Sequence, residues 1–134
     1  MICIQEQLLP PADRGYIYFA KMTIDGDSFY KIGYSRNPQR RFQTDEFDDV
    51  DAHVEFKCLV PMMDWMYEDE YRSEYWELKL HGLLQHNDVQ YWPEHEFSGR
   101  TECYQLSKQD YNAAVDSLES WLVDMSPKGW RIDY

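Results

Sequence analysis

Gly15-Tyr16-Ile17-Tyr18-Phe19-Ala20-Lys21-Met22-Thr23-Ile24 leads through Asp25-Gly26-Asp27 into Ser28-Phe29-Tyr30-Lys31-Ile32-Gly33-Tyr34. Both outer runs are rich in aromatic and β-branched side chains, which suit a pleated, half-buried surface. Asp25-Gly26-Asp27 carries the composition of a turn, with a glycine free to take positive φ. Residues 15–34 therefore predict an antiparallel hairpin, and the rest of the chain is read around it.

After the hairpin, Asn37 is placed to cap a short helix and Pro38 suits its first position. That helix runs through Gln39-Arg40-Arg41-Phe42 into a polar loop, Thr44 to Asp49. Ala52 to Val60 alternates, with His53, Glu55 and Lys57 between Val54, Phe56 and Cys58, and predicts a third strand that Pro61 stops. Met63 to about Gln85 reads as the long helix. Tyr67, Tyr71, Tyr75, Leu78 and Gly82 form its apolar stripe, and Glu70, Glu74, Glu77 and His81 lie on a neighbouring face. Residues 86–101 read as irregular, and Cys103 to Leu106 as a last short strand. Ser107 with Asp110 resembles a capping box opening a helix through about Val123, with Tyr111, Ala114, Val115, Leu118 and Leu122 inward. Upstream, Met1 to Asp13 is a tail closed by Pro10-Pro11. The order β-β-α-β-α-β-α predicts an α+β fold, a small sheet flanked by helices. The expected division is a tail over 1–14, the main domain over 15–106, and a C-terminal helix and tail over 107–134 packing on that domain.

The chain has 134 residues, 43% of them hydrophobic, enough for one domain with its own core. No apolar run approaches the roughly 20 residues that span a bilayer, so no membrane segment is expected. Met1 to Pro11 lacks the basic start and apolar stretch of a signal peptide. Cys3, Cys58 and Cys103 are odd in number and widely spaced, which speaks against a disulfide framework or a clustered zinc site. The expected compartment is reducing and cytoplasmic.

The net charge is −12, and it is segregated. Residues 1–43 carry a local +2, residues 44–77 a local −10, and residues 78–134 a local −4. A generic duplex-coating protein would be basic, because phosphate neutralisation supplies most non-specific affinity, but with the charge segregated the mean is misleading. Binding to DNA would need a narrow positive face made by Lys21, Lys31, Arg36, Arg40 and Arg41. The block 44–77 reads as a solvated acidic surface.

Gly15-Tyr16-Ile17-Tyr18, Tyr30-Lys31-Ile32-Gly33 and Asn37-Pro38-Gln39-Arg40-Arg41 together resemble the opening of the GIY-YIG endonuclease superfamily. The closest likeness is to its phage and fungal branch, where the second motif reads Lys-Ile-Gly. Glu77-Leu78-Lys79-Leu80-His81 and Glu102-Cys103-Tyr104 are similar to that branch's later Glu-x-x-x-His and Glu-aromatic pieces. The likeness covers about residues 15–106. It implies hydrolysis of DNA phosphodiester bonds with one divalent metal, Mg²⁺ or Mn²⁺. By position it implies that Tyr18 helps to activate water, Arg41 stabilises charge on the phosphate, and Glu77 holds the metal. Lys31 stands where many members have a second tyrosine. Tyr30, one residue away on a strand, should face the other side of the sheet. His81 joins the candidate catalytic set, Lys21, Arg36 and Arg40 are candidate DNA contacts, and Glu102 and Tyr30 are candidate supports.

These residue types suit that chemistry. A guanidinium fork matches a phosphate, a carboxylate is a hard oxygen ligand for Mg²⁺, and a tyrosine becomes a useful base only when a cation lowers its pKa. Lys31 or Arg41 is the candidate cation. Each position also has a plainer reading. Tyr18 serves equally as an ordinary strand tyrosine, Arg40 competes with Arg41, and Glu74 competes with Glu77. His81 is either a ring that orients a carboxylate or contacts phosphate, or a neutral histidine hydrogen-bonded against the core. Glu102 is a brace or cap. Two other functions fit the composition. One is an acidic interaction protein on a nuclease-like scaffold, docking on a basic nucleic-acid-binding partner as a phage inhibitor of host defence would. The other is a DNA-binding module without catalysis.

Overall fold

The computed structural model describes residues 2–4, 9, 11–62, 73–122 and 132–133. The hairpin forms as its composition predicts. β2 (Tyr16–Ile24) and β3 (Asp27–Ser35) pair antiparallel from Tyr16↔Ser35 to Ile24↔Asp27. The turn is tighter than the sequence suggested: Asp25 (φ 49°) and Gly26 (φ 85°) alone span it, and Asp27 already belongs to the strand. Positive φ at both central residues is what the right-handed twist of a two-residue hairpin requires.

β4 (Ala52–Pro61) pairs with the other edge of β2, so β2 is central and is buried over most of its length. The strand order is β1-β4-β2-β3-β5, with β1 (Ile2–Ile4) parallel to β4 and β5 (Cys103–Tyr104) antiparallel to β3. β6 (Ile132–Asp133) also pairs with β4. β1 lies in the segment read as a tail. Three residues are too few to show a strand period, and Ile2 and Ile4 join the sheet by packing on its core. Pro61, expected to stop β4, is instead its last residue, a position where a missing N–H costs little.

Two hydrophobic cores sit on the two faces of this sheet. On one face, Ile17, Phe19, Ile32, Cys58 and Val60 lie under Trp76, Leu80 and Leu84 of α2 (Ser73–His86) and Ala114, Val115, Leu118 and Leu122 of α3 (Lys108–Leu122). On the other, Tyr18, Met22, Phe29, Val54 and Phe56 are covered by Phe42, Phe47 and Phe97. Phe42 follows the short helix α1 (Pro38–Arg41), which Asn37 caps by accepting a hydrogen bond from the Arg40 N–H at 3.2 Å. Phe47 ends a 3₁₀ turn (Asp45–Phe47) in the segment expected to be loop. The arrangement is a small α+β domain, as the element order implies.

α3 opens with both bonds of the capping box: the Asp110 N–H donates to Ser107 Oγ at 3.0 Å, and the Ser107 N–H to Asp110 Oδ2 at 3.2 Å. In α2 the buried line differs from the expected apolar stripe. Tyr75 and Leu78 are 40% and 68% exposed, Gly82 is also exposed, and the buried line is Trp76, Leu80 and Leu84. The cause is that Glu77 and His81 point inward too, so polarity does not mark the outer face of this helix. Tyr67 and Tyr71, the expected helix start at Met63, and Val123 at the end of α3 lie outside the described residues. Residues 86–101 carry little regular structure but are tied to β5: Tyr91 donates its N–H to Cys103 O at 2.9 Å, and Gln105 to Val89 O at 2.9 Å. Among the described residues no helix is long and apolar enough to cross a membrane.

Candidate active site

The Lys31 side chain decides where the polar residues gather. It sits on an inner strand, between β2 and β5, on the same face as Phe29, and is 2% exposed. An ammonium buried so far must be paired. Its Nζ donates to Ile32 O at 3.1 Å and to Glu102 Oε1 at 3.2 Å. Burial works against the charged lysine, but Tyr18 and Glu102 outweigh it and raise its pKa, so the proton stays. The expectation that Lys31 contributes to an exposed positive face is therefore corrected.

Two glycines make room for this lysine. In the β2–β3 register Tyr18 is opposite Gly33, and the phenol lies across it. A Cβ at Gly33 would come within 2.5 Å of Tyr18 Oη and 2.8 Å of Lys31 Nζ. Gly99 (φ +90°) precedes the 3₁₀ turn Arg100–Glu102, and a Cβ there would lie 2.5 Å from Lys31 Cε. The turn then delivers Glu102 to the lysine.

Glu102 also meets α2. Its Oε2 is 3.2 Å from His81 Nε2, and Glu77 Oε1, one turn earlier on the helix, is 3.3 Å from the same nitrogen. His81 is 5% exposed, and its Nδ1 lies 2.5 Å from the Tyr104 hydroxyl on β5. Burial disfavours an imidazolium here, yet hydrogen bonds and charge from Glu102 and Glu77 prevail and raise the pKa. His81 is thus a buried ring held between two carboxylates and the Tyr104 hydroxyl.

The two carboxylates are pushed apart. Burial and the neighbouring Glu102 raise Glu77 against the pull of His81, so a proton is retained more readily there. Burial opposes ionisation of Glu102 as well, but His81, Glu77 and Lys31 hold it well below the usual carboxylate range. Two acids with divergent ionisation around one ring are the pattern that proton-handling sites share. Among the described residues, Glu77, His81 and Glu102 form a group whose ligating atoms all lie within 4.8 Å of one another.

Tyr18 is 1% exposed and packs edge-on against Phe42 and Phe56. Lys31 Nζ stands 5.5 Å from its ring centroid. Burial raises the phenol's pKa; the charges of Lys31 and Arg41 and a hydrogen bond with Lys31 act to lower it. The expected cations are thus in place, but burial outweighs them. Arg41, the last residue of α1, is half-buried, and its charge is felt by both Tyr18 and Glu46.

Tyr18, Lys31, Glu102, His81 and Glu77 therefore form one connected cluster with Arg41 within electrostatic reach. Arg36 and Arg40 are exposed beside α1, and Arg36 donates to Asp13 O at 3.4 Å. Lys21 does not join them: it pairs across the hairpin with Tyr30, whose ring meets Tyr111 of α3 at 5.4 Å, on the opposite sheet face. Tyr30 faces away from Tyr18, as strand alternation predicts, and does not support the cluster. The side chain of Glu74, the expected rival of Glu77, lies outside the described residues, as do Glu68, Asp69 and Glu70. In the acidic block, Asp45, Asp48, Asp49 and Asp51 are exposed, while Glu46 is structural and accepts from the Ser98 N–H at 2.9 Å.

Glu102 is the hub of the cluster and not only the expected brace or cap, and Tyr104, Gly33 and Gly99 join it without having been among the expected site residues. One signal was available: a lysine facing the same way as Phe29 in an inner strand demands an acid partner from elsewhere in the chain.

No curated protein and no solved structure compared with the chain matches it. The sequence profile of the T5orf172 domain matches residues 15–121, a span that contains every member of the cluster and most of α3. With most of its length inside that match, the chain belongs to the T5orf172 domain family, a phage-derived family associated with nucleases.

Proposed function

We propose that the chain is a metal-dependent endonuclease-type domain, of the GIY-YIG kind, that hydrolyses phosphodiester bonds in DNA. The observation that carries this reading is the position of Lys31. One buried ammonium touches the Tyr18 phenol on one side and Glu102 on the other, so a phenol and a carboxylate–imidazole group meet around a single charge.

Hydrolysis joins a water oxygen to phosphorus, breaks one P–O ester bond, and needs a proton taken from the water and negative charge stabilised on the phosphate. Tyr18 is the group that takes the proton, as its phenolate. Burial holds this phenol's pKa raised, and the Lys31 hydrogen bond and the Arg41 charge lessen, without cancelling, the cost of forming the phenolate. Arg41 is half-buried and suits the non-bridging phosphate oxygens, which a guanidinium binds in pairs. Arg36 and Arg40, exposed nearby, suit flanking phosphates. Glu77 holds the metal, Mg²⁺ or Mn²⁺, and His81 fixes the Glu77 carboxylate. The carboxylate oxygens fit such an ion, since two close acids that resist joint ionisation are relieved by a dication. When bound, the ion polarises the phosphate and makes its bound water more acidic.

An acidic protein that only fills a partner's basic groove has no use for a buried Lys31–Glu102 pair, so the cluster favours the enzyme. Incubation of the full chain with supercoiled plasmid and Mg²⁺ or Mn²⁺ tests it. Nicking or linearisation by the parent that vanishes in Glu77→Ala is the expected result. An inactive parent with both ions, or an active Glu77→Ala variant, would refute the reading.

A further inference from the structure

Three side chains converge where the proposed function needs only one. Glu77 Oε1 and Glu102 Oε2 stand 3.3 Å and 3.2 Å from the same atom, His81 Nε2. Ligand atoms about 2.1 Å from an ion and at right angles to each other lie roughly 3 Å apart. The spacing of these atoms is close to that of neighbouring ligands in a metal's inner sphere, and the whole group fits within 4.8 Å.

The surroundings orient each donor for that role. The ring of His81 stacks at 20° on Tyr104, and its Nδ1 bonds the Tyr104 hydroxyl at 2.5 Å. The Tyr104 hydroxyl within hydrogen-bond distance of Nδ1 holds the ring with Nε2 aimed at the two carboxylates, the way an outer hydrogen bond orients a ligating histidine. Glu102 divides its two oxygens: Oε1 is taken by Lys31 at 3.2 Å, and Oε2 faces His81. Glu77 and His81 share one face of α2 at i and i+4, so the helix sets their separation. The three residues come from the second half of the domain, while Lys31 brings the same site into contact with Tyr18 on the hairpin.

We infer that His81 and Glu102 are metal ligands alongside Glu77, giving a mixed Glu/His/Glu centre suited to a divalent transition ion such as Mn²⁺ in preference to Mg²⁺. The inference deepens the endonuclease reading and rests on it for the role of Glu77. An imidazole donor tips a carboxylate site toward the first-row transition ions, whereas Mg²⁺ prefers oxygen and keeps much of its water. Glu102 then bridges the ion and Lys31, so the ion and the phenol are joined through two side chains.

The test uses metal-stripped full-length chain and Mn²⁺ as the probe. Calorimetric titration should show one Mn²⁺ per chain, bound more tightly than Mg²⁺. Pulsed electron paramagnetic resonance of the loaded parent should show coupling to one histidine nitrogen. Glu102→Gln should weaken Mn²⁺ binding by about tenfold or more, the scale of effects seen when a metal's supporting groups are lost. Nitrogen coupling is read on the parent itself, so it does not depend on a variant that folds. Mn²⁺ bound without nitrogen coupling, or Glu102→Gln binding as the parent does, overturns the inference. The two readings fail separately. Plasmid cleavage that needs Glu77 but shows no nitrogen coupling sinks the mixed centre and keeps the nuclease. A mixed centre with no cleavage does the reverse.

Discussion

Lys31 Nζ lies 3.2 Å from Glu102 Oε1, and these two residues, 71 positions apart in the chain, join the N-terminal hairpin to the turn before β5. The lysine is almost fully buried and the glutamate only partly so. Removing the acid therefore strands a charge that water cannot reach. Glu102→Ala should lower stability by about 3 kcal/mol, the scale for breaking a buried pair from one side. Lys31→Met should cost less, because Glu102 keeps His81 and partial hydration. Urea denaturation of the two variants checks the order; equal losses would show that the buried ammonium is not the costly partner.

Gly33 leaves the space in which the Tyr18 phenol and the Lys31 ammonium lie together. A Cβ at this residue meets Tyr18 Oη at 2.5 Å, closer than real Cβ contacts allow. Gly33→Ala must displace the phenol within a packed core, at a cost of about 1–3 kcal/mol. DNA cleavage should fall, and Mn²⁺ affinity should weaken with it, because the same Cβ would lie 2.8 Å from Lys31 Nζ, the partner of Glu102 Oε1. Titration calorimetry and a plasmid assay on the same preparation check both losses; parental values in the two would contradict the packing of phenol and ammonium across Gly33.

The cluster also makes stability depend on pH in the metal-free protein. His81 has a raised folded-state pKa, so its contribution is complete below the ordinary imidazole value of about 6.5 and is lost as pH rises through the raised value. Glu77, also raised, loses its contribution in the same direction, starting from the ordinary carboxylate value. Glu102 is depressed, so its contribution is present above about 4.3, the usual glutamate value, and is lost as pH falls toward the lowered one. Thermal melts in EDTA should show Tm declining on the alkaline side of pH 6.5 and on the acid side of about 4.3. His81→Gln should flatten the upper decline. A flat profile above pH 6.5 in the parent would contradict the arrangement.

Part of this was legible in residue order and part was not. The hairpin was clear because β-branched and aromatic runs flanked a turn that only two positive-φ residues can make. The capping box gave the start of α3 for the same local reason. β1 and β6 were invisible, since strands of three and two residues have no period and exist only by pairing with β4. The buried face of α2 was misread because Glu77 and His81 are polar yet inward, while Tyr75 and Leu78 are apolar yet outward. Tyr18, Lys31 and Glu77 are legible only through the resemblance to the GIY-YIG superfamily, which supplies their roles. The hub, Glu102, depends on a turn set by Gly99 and on contacts across more than 70 residues, which spacing does not encode.

Single-turnover cleavage of a labelled duplex by Tyr18→Phe, with Mn²⁺ binding measured in parallel, separates chemistry from assembly of the site. The change deletes one hydroxyl and leaves the ring that packs on Phe42 and Phe56. The predicted result is a loss of about a hundredfold or more in rate, the usual scale for a proton-transfer group, with unchanged Mn²⁺ affinity. Cleavage at the parental rate would remove Tyr18 from the reaction and with it the reason for placing the site around Lys31.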